Sequence, residues 1–464
     1  MVSPRHRLNA CVWIVVIGLS CRLPSHAQTN LETNAGVHFN FSTPGAGNLA
    51  LGGAFLALAF DASAAYTNPA GLTTIAAPET LVEARHWDYT HVFTDRGRIA
   101  GVDPTNVGED TISGLRDGQA GNQVTDLSFL SCVVPRDRWS FALFRHELVN
   151  FRADFSTQGA YLGPFRTRGL YGIPGETDGR LAALRNHMDV GITAYGGAIA
   201  YRLGRGLSLG LTVSYFDFAM DSLAQRYRQG FSLPPDFTSD PLVNFQTQRG
   251  KDSNWRYAAG FLWESPRKRW SLGGVFRQGP DFNFQVRNAP GPGLPSNLSF
   301  SPKDQTATFH VPDVWGVGIA FQPSDALRLA FDYDRVRYSQ LLRGFVDIFD
   351  LAALEVDPDT LKPLDPDLQH FVIDDIGELH LGMEYAFLNH WPILSLRAGA
   401  WYEPDHSLRY EGQNVGFAAV FRRRPDQMHY TAGLGLALRR LQIDAAFDHS
   451  ERVSVISLSA GVRY

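Results

Sequence analysis

Residues 204–215, Gly204-Arg205-Gly206-Leu207-Ser208-Leu209-Gly210-Leu211-Thr212-Val213-Ser214-Tyr215, decide how this chain folds. In an extended backbone successive side chains point to opposite faces. Leu207, Leu209, Leu211, Val213 and Tyr215 then share one face, and Ser208, Gly210, Thr212 and Ser214 share the other. One face is apolar and one is wet. The joint Gly204-Arg205 is only two residues long, and the segment before it alternates in the same way.

Five more short joints follow this pattern: Pro135-Arg136-Asp137, Pro266 to Arg269, Pro323-Ser324-Asp325, Asn389-His390-Trp391 and Arg439-Arg440. The connections between the hairpins are long, at 94–121, 152–187, 221–252, 285–305, 340–374 and 405–426; only the last, around Ser450-Glu451, is short. Short turns on one rim and long loops on the other mark a transmembrane β-barrel. Strands of about 10 residues suffice to cross a bilayer at a tilt. In lipid every backbone N–H and C=O must find a partner within the protein, so strands can span only as a closed barrel. A water-soluble sandwich also alternates, but its apolar face packs on a second sheet and its loops need not be long on one side. The expected fold is all-β, an antiparallel transmembrane barrel of about 14 strands, an even number as single-chain bacterial barrels have. Segments 268–284 and 306–322 read as single strands within it. Trp139, Trp263, Trp270 and Phe321 sit beside short turns, where an interfacial aromatic girdle belongs.

The leader and the final strand point to export. Arg5, His6 and Arg7 precede the apolar stretch Ala10 to Leu19, and Ser25-His26-Ala27 fits a cleavage site, so residues 1–27 read as a signal peptide. The segments expected after it are 28–79, which does not read as strand, and the barrel, 80–464. Ile456, Leu458, Ala460, Val462 and Tyr464 alternate with polar or small residues and end on an aromatic ring. This is similar to the C-terminal signal that barrel assembly machinery recognises. The expected location is the bacterial outer membrane, with lipid around the barrel and a monomeric state.

Removing the leader, with Arg5, Arg7 and Arg22 and no acid, takes the formal charge from −5 to −8. An acidic chain is a poor match for nucleic acid. Of the three cysteines, only Cys132 lies outside the leader, so neither an intramolecular disulfide nor a thiol-rich metal site is expected. There is no G-x-S-x-G elbow, P-loop or H-E-x-x-H. His310 and His380 read as lumen or rim residues, and the acidic run Asp357 to Asp367 as a solvated loop. No enzyme, no cofactor and no metal is expected.

Residues 28–79 are rich in small side chains, as in Gly45-Ala46-Gly47-Asn48-Leu49-Ala50-Leu51-Gly52-Gly53-Ala54. Short helices are expected, with Asp61 at one helix start and a turn at Asn68-Pro69. Such a segment suits a tightly packed plug. It resembles the N-terminal hatch of the FadL/TodX family of outer-membrane transporters for long-chain fatty acids and other hydrophobic compounds, whose Asn-Pro-Ala motif corresponds to Asn68, Pro69 and Ala70. Val311-Pro312-Asp313-Val314-Trp315, Phe321-Gln322-Pro323-Ser324-Asp325 and Phe331-Asp332-Tyr333 resemble the family's strand–turn–strand. Leu381-Gly382-Met383-Glu384-Tyr385 with Leu396-Arg397-Ala398-Gly399 is a weaker match. The resemblance implies facilitated diffusion of hydrophobic compounds and a gating role for the Asn68-Pro69-Ala70 turn. Barrels that serve secretion share a similar hatch, so a protein-interaction or secretion-associated barrel is the alternative. The family's third strand is kinked, usually with Gly or Pro. Trp139 to Phe151 contains neither, and Gly279-Pro280 lies in strand seven instead.

Strand parity turns Arg256, Arg277 and Arg397 inward, where a guanidinium can hold a carboxylate bidentately. Glu264, Glu378, Glu384 and Asp444 face the same way and are competing partners. Loop 221–252 adds Phe231, Phe237 and Phe245, read either as loop packing or as a docking groove for an apolar ligand.

Overall fold

The computed structural model describes residues 37, 39–104, 112–167, 175–227, 240–294, 301–342, 370–412 and 415–464. The leader, Phe231, Phe237 and the run Asp357 to Asp367 lie outside them. Fourteen strands form the wall: β1 Glu79–Arg96, β2 Arg116–Arg136, β3 Trp139–Thr157, β4 Ala183–Gly204, β5 Leu207–Tyr227, β6 Leu242–Glu264, β7 in segments Trp270–Arg277 and Asp281–Pro290, β8 in segments Lys303–His310 and Val314–Ser324, β9 Leu327–Val336, β10 Ile376–Phe387, β11 Ile393–Glu403, β12 Gln427–Ala437, β13 Leu441–His449 and β14 Val453–Arg463. Each pairs antiparallel with its neighbours in sequence, and β14 pairs with β1, which closes the ring.

The alternation seen in β5 sorts as the sequence implies. Leu209, Leu211 and Val213 are exposed, whereas Ser208, Thr212 and Ser214 are buried. A sheet whose apolar side chains look outward and whose polar ones look inward is a membrane barrel, the inverse of a soluble one. Aromatic rings band the outside at two heights. Trp139 packs on Tyr201 and Trp270 stacks on Phe321 beside the short turns. Phe276 packs on Trp315 further along β7 and β8, and Tyr215 packs on Trp255 on β5 and β6, away from the short turns. Trp315 and Phe321 are six positions apart on β8, roughly 20 Å at 3.4 Å per residue. On a strand tilted by about 40° that rises roughly 15 Å, within the apolar band of about 25 Å.

The wall departs from regularity in two places. Strands 268–284 and 306–322 are not continuous. β7 breaks at Gln278-Gly279-Pro280, and β8 at Val311-Pro312-Asp313. A proline has no N–H to give to a ladder and fixes φ, so facing prolines in adjacent strands interrupt both. β6 pairs with the first β7 segment over Ala258–Glu264 and with the second over Asn244–Arg249. Between them the regular ladder is replaced by side chains and a single backbone bond. Asn254 donates to the Asp281 carbonyl at 2.9 Å, Arg256 Nε to the Gly279 carbonyl at 3.0 Å, and the Gln278 N–H to the Tyr257 carbonyl at 3.1 Å.

The second departure is in β3. Its ladder with β2 ends at Phe129 opposite His146, and a bulge follows between Glu147 and Val149. Beyond it β3 pairs with β4 alone. The third strand therefore parts from β2 without Gly or Pro. An extra residue, Leu148, bends the strand there, as bulges do.

Candidate functional site

The N-terminal segment from residue 39 to residue 75 lies inside the barrel. It holds two one-turn helices, Ala46–Leu49 and Ala64–Thr67, and a 3-10 helix, Pro69–Thr74. Ala46, Ala50, Ala54, Ala59, Ala62 and Ala65 are fully buried. Short helices leave most backbone groups unpaired, so the wall must supply partners. The Asp332 carboxylate accepts from Phe55 N and Leu56 N at 2.6 and 2.7 Å. Thr431 Oγ1 accepts from Gly52 N and donates to the Ala50 carbonyl. Ser131, Thr212 and Ser271 donate to the carbonyls of Ala62, Ala65 and Ala57. Polar lumen residues thus work as a socket for a backbone.

The two ends of the segment are clamped hardest. Glu83 and Arg85 on β1 pair at 2.6 Å with no exposure. Glu83 accepts from Gly45 N, and Arg85 donates to Asn40 Oδ1, Ser42 Oγ and the Thr43 carbonyl. Asn40 in turn covers the β3 bulge, donating to the Leu148 and Glu147 carbonyls at 2.7 and 3.1 Å. At the other end Asn68 Nδ2 donates to the Leu56 and Phe261 carbonyls, while its Oδ1 accepts from Ala70 N and caps the 3-10 helix that Pro69 begins. Asn68, Pro69 and Ala70 are therefore one turn that joins the plug to β6.

Glycine fixes how close plug and wall approach. A Cβ at Gly210 would collide with Pro69 and Ala70, one at Gly260 with Asn68, one at Gly273 with Leu56, and one at Gly399 with Gly52. Strand glycines of this kind mark close approach of another backbone. Gly273→Val or Gly399→Val is expected to displace the plug while the barrel still folds. Planar-bilayer recordings should show new ion conductance from protein that retains heat-modifiable gel mobility.

Cavities border the plug at both ends of the lumen. One opens toward the short turns and is lined by Phe60, Ile75, Arg328, Glu384, Arg397 and Arg463. Two lie on the loop side: the first is bordered by Phe39, Phe41, Trp87, Tyr338 and Arg277 among others, the second by Phe41, Tyr66, Phe216, Tyr257 and Arg277. The second also includes Gln278, Gly279 and Pro280, so it abuts the break in β7.

The three inward arginines have different surroundings. Arg397 is held by Glu384 and Asp444, each at 2.5 Å, below the plug. Arg256 pairs with Asp281 at 2.7 Å and braces the wall break. Arg277 is buried, yet no carboxylate among the described residues pairs with it. Its guanidinium lies over the Tyr66 ring at 5.3 Å, Nη1 donates weakly to the Thr67 carbonyl at 3.4 Å, and Nε has no partner. It stands where the two loop-side cavities meet. Glu378 faces His380 rather than an arginine, at 3.4 Å. His310 meets Asp281 at 2.6 Å. Phe245 is half-buried on the odd-numbered face of β6 that also carries Trp255 and Tyr257, and it does not line these cavities. Among the described residues no group of three or more His, Cys, Asp or Glu is arranged to hold a metal.

Strand parity alone did not single out Glu83, Arg85, Asp332 or Thr431 as plug anchors. The signal was a charged or hydroxyl side chain at an inward position opposite a small residue. The partners of Asp332 and Thr431 lay hundreds of residues away, and those of Glu83 and Arg85 about forty.

No family model matches the sequence, and no curated protein sequence matches it. Solved structures do. A Pseudomonas aeruginosa FadL homologue superimposes with a TM-score of 0.58 at 16% identity, covering 92% of this chain and 99% of that one. The CymD monoaromatic hydrocarbon channel gives 0.53 at 14% identity, with 92% and 99% covered. The Ralstonia pickettii toluene transporter TbuX gives 0.51 at 17% identity, again with 92% and 99% covered. The likeness covers 92% of this chain, and the protein has a FadL-type fold: a closed fourteen-strand barrel with small N-terminal helices before the first strand.

Proposed function

We propose that this protein carries hydrophobic compounds, such as long-chain fatty acids, across the bacterial outer membrane by facilitated diffusion. The observation that carries this reading is the pair of cavities above a plug that blocks the lumen, one walled by Phe41, Tyr66, Phe216 and Tyr257 and the other by Phe39, Phe41 and Tyr338 opposite a polar wall, with the buried Arg277, paired with no carboxylate among the described residues, between them. A general water-filled porin would not be sealed by a hatch bonded to the wall on all sides. Burial from water alone drives an apolar ligand in, at about 25 cal/mol per Å², and the arginine adds selectivity for an acidic head. The structurally similar proteins named as hydrocarbon channels and toluene transporters support the same substrate class. The barrel acts as a monomer, inserted by the assembly machinery, with outer-membrane lipid around it and without nucleic acid.

The wall break at β7 is the exit we favour. The second cavity ends on it, and the bonds across it come mostly from side chains rather than from a ladder. Asp252 and Asn283 face each other there, the Asn283 N–H donating to the Asp252 carboxylate at 2.7 Å. Cysteines at both positions should bridge when an oxidant is added to whole cells, since disulfides persist on the cell surface. Uptake of a labelled fatty acid by whole cells is expected to fall several-fold when the bridge is oxidised and to recover on reduction. Unchanged uptake through a confirmed bridge would place the exit elsewhere.

A further inference from the structure

Charges on the outside of the barrel are arranged differently at its two ends. Toward the long loops, exposed arginines of the wall meet an acid on the next strand: Arg152 with Asp189 and Arg249 with Asp221, both at 2.9 Å, and Arg287 with Asp304 at 3.7 Å. At three of the short turns this pairing stops. The β2–β3 turn carries Arg136 and Arg138, the β4–β5 turn Arg205, and the β6–β7 turn Arg267, Lys268 and Arg269. All six side chains are exposed, and none has an ion pair or a side-chain hydrogen bond among the described residues.

The three turns are neighbours on the rim. The Arg202 N–H donates to the Arg138 carbonyl at 2.8 Å and the Glu264 N–H to the Gly206 carbonyl at 2.9 Å, which ties each turn to the next. Only Asp137 and the half-buried Glu264 bring negative charge to this arc, and the Arg202 guanidinium is turned inward onto the Thr73 carbonyl. The opposite turns, Pro323-Ser324-Asp325 and Asn389-His390-Trp391, hold no arginine or lysine. Solvated surfaces ordinarily intersperse both signs, and the mature chain is acidic.

The level of the arc on the wall says what it meets. Trp139 and Trp270 are exposed on the outer face and mark the membrane interface. Arg138 and Arg269 directly precede them, and Arg136 is the cross-strand partner of Trp139, which puts its side chain on the same outer face. Arginine and lysine stems lie along apolar surface while their charged heads stay in the polar layer. We propose that these three turns form a docking arc for anionic phospholipid of the periplasmic leaflet, with the lipid phosphates on the six cations and the acyl chains on the outer face of β3 to β7. A guanidinium holds a phosphate through two parallel hydrogen bonds, and clustered cations beside a bilayer add their attractions. The arc is independent of what passes through the lumen.

The test mixes the whole mature protein, in a nonionic detergent, with equal amounts of dioleoylphosphatidylglycerol and dioleoylphosphatidylcholine, repurifies it and quantifies the retained lipids by extraction. Net charge alone would favour the zwitterionic lipid. Phosphatidylglycerol is expected to be retained about fivefold or more over phosphatidylcholine, the effect of one such contact, with an excess that falls as salt rises. Replacing all six cations with glutamine should bring the ratio to about one, and Arg267→Gln with Lys268→Gln and Arg269→Gln, confined to one exposed turn, should roughly halve it. The smaller variant decides the matter where the larger one fails to fold, which gel mobility reports. Glycerol phosphate, the headgroup without its chains, should leave the retained lipid in place; its displacing the lipid at equal concentration would make the arc a site for soluble phosphates and overturn the docking surface. Equal retention of the two lipids by the intact protein overturns it as well and leaves an acidic periplasmic protein as the partner. An excess that survives the substitutions overturns it by placing the lipid elsewhere.

Discussion

Removing residues 36–74 is expected to turn a silent barrel into a conducting pore. The fourteen strands close on themselves without help from the plug, since each wall strand is paired on both sides with another wall strand. The plug fills the lumen through bonds to β1, β2, β5, β7, β9 and β12. Its loss leaves a ring in which Glu83, Arg85, Asp332 and Thr431 can be wetted, beside apolar wall residues such as Leu81, Phe129 and Phe144. In planar bilayers the intact protein should show little current and the deletion variant a stable ohmic conductance. Asp332→Ala offers a gentler version. It removes two hydrogen bonds to a charged acceptor, at roughly 1.5–3 kcal/mol each, and should give intermittent openings. An unchanged conductance after deletion would mean that the wall is shut by something other than this segment.

Replacing Arg277 with alanine is expected to weaken fatty-acid binding by roughly 1.5–3 kcal/mol, the range for hydrogen bonds to charged groups. A neutral hydrocarbon of similar size should be almost unaffected, because its affinity comes from apolar burial. Arg277 is the informative choice among the three arginines. Arg397 already satisfies Glu384 and Asp444, and its removal would strand two buried carboxylates. Arg256 is spent on Asp281 and the break in β7. Equal losses for both ligands would show that Arg277→Ala had damaged the barrel; no loss for either would leave Arg277 as a neighbour of Tyr66 and nothing more.

The architecture was legible because its cause is local. Period-2 alternation in segments such as Leu207 to Tyr215 follows from strand geometry, and the joint lengths follow from which rim is which. Arg256, Arg277 and Arg397 came out inward for the same reason. What sequence could not show depended on distant pairs. Pro280 and Pro312 each look like tolerable strand residues; only their meeting in adjacent strands opens the wall. The β3 bulge carries no Gly or Pro and is held by Asn40, more than a hundred positions earlier. The plug segment was recognisable from its small residues, but its anchors were not, because Asp332 and Gly52 are ordinary until the barrel closes around them.

The most direct test of the central claim is the initial rate at which intact cells take up a radiolabelled long-chain fatty acid, with and without this protein in the outer membrane. The account requires a several-fold higher rate in cells that carry it, and a rate that falls back in Arg277→Ala cells. Equal rates in cells with and without the folded, membrane-inserted protein would contradict it and leave a barrel whose role lies in contacts with other proteins.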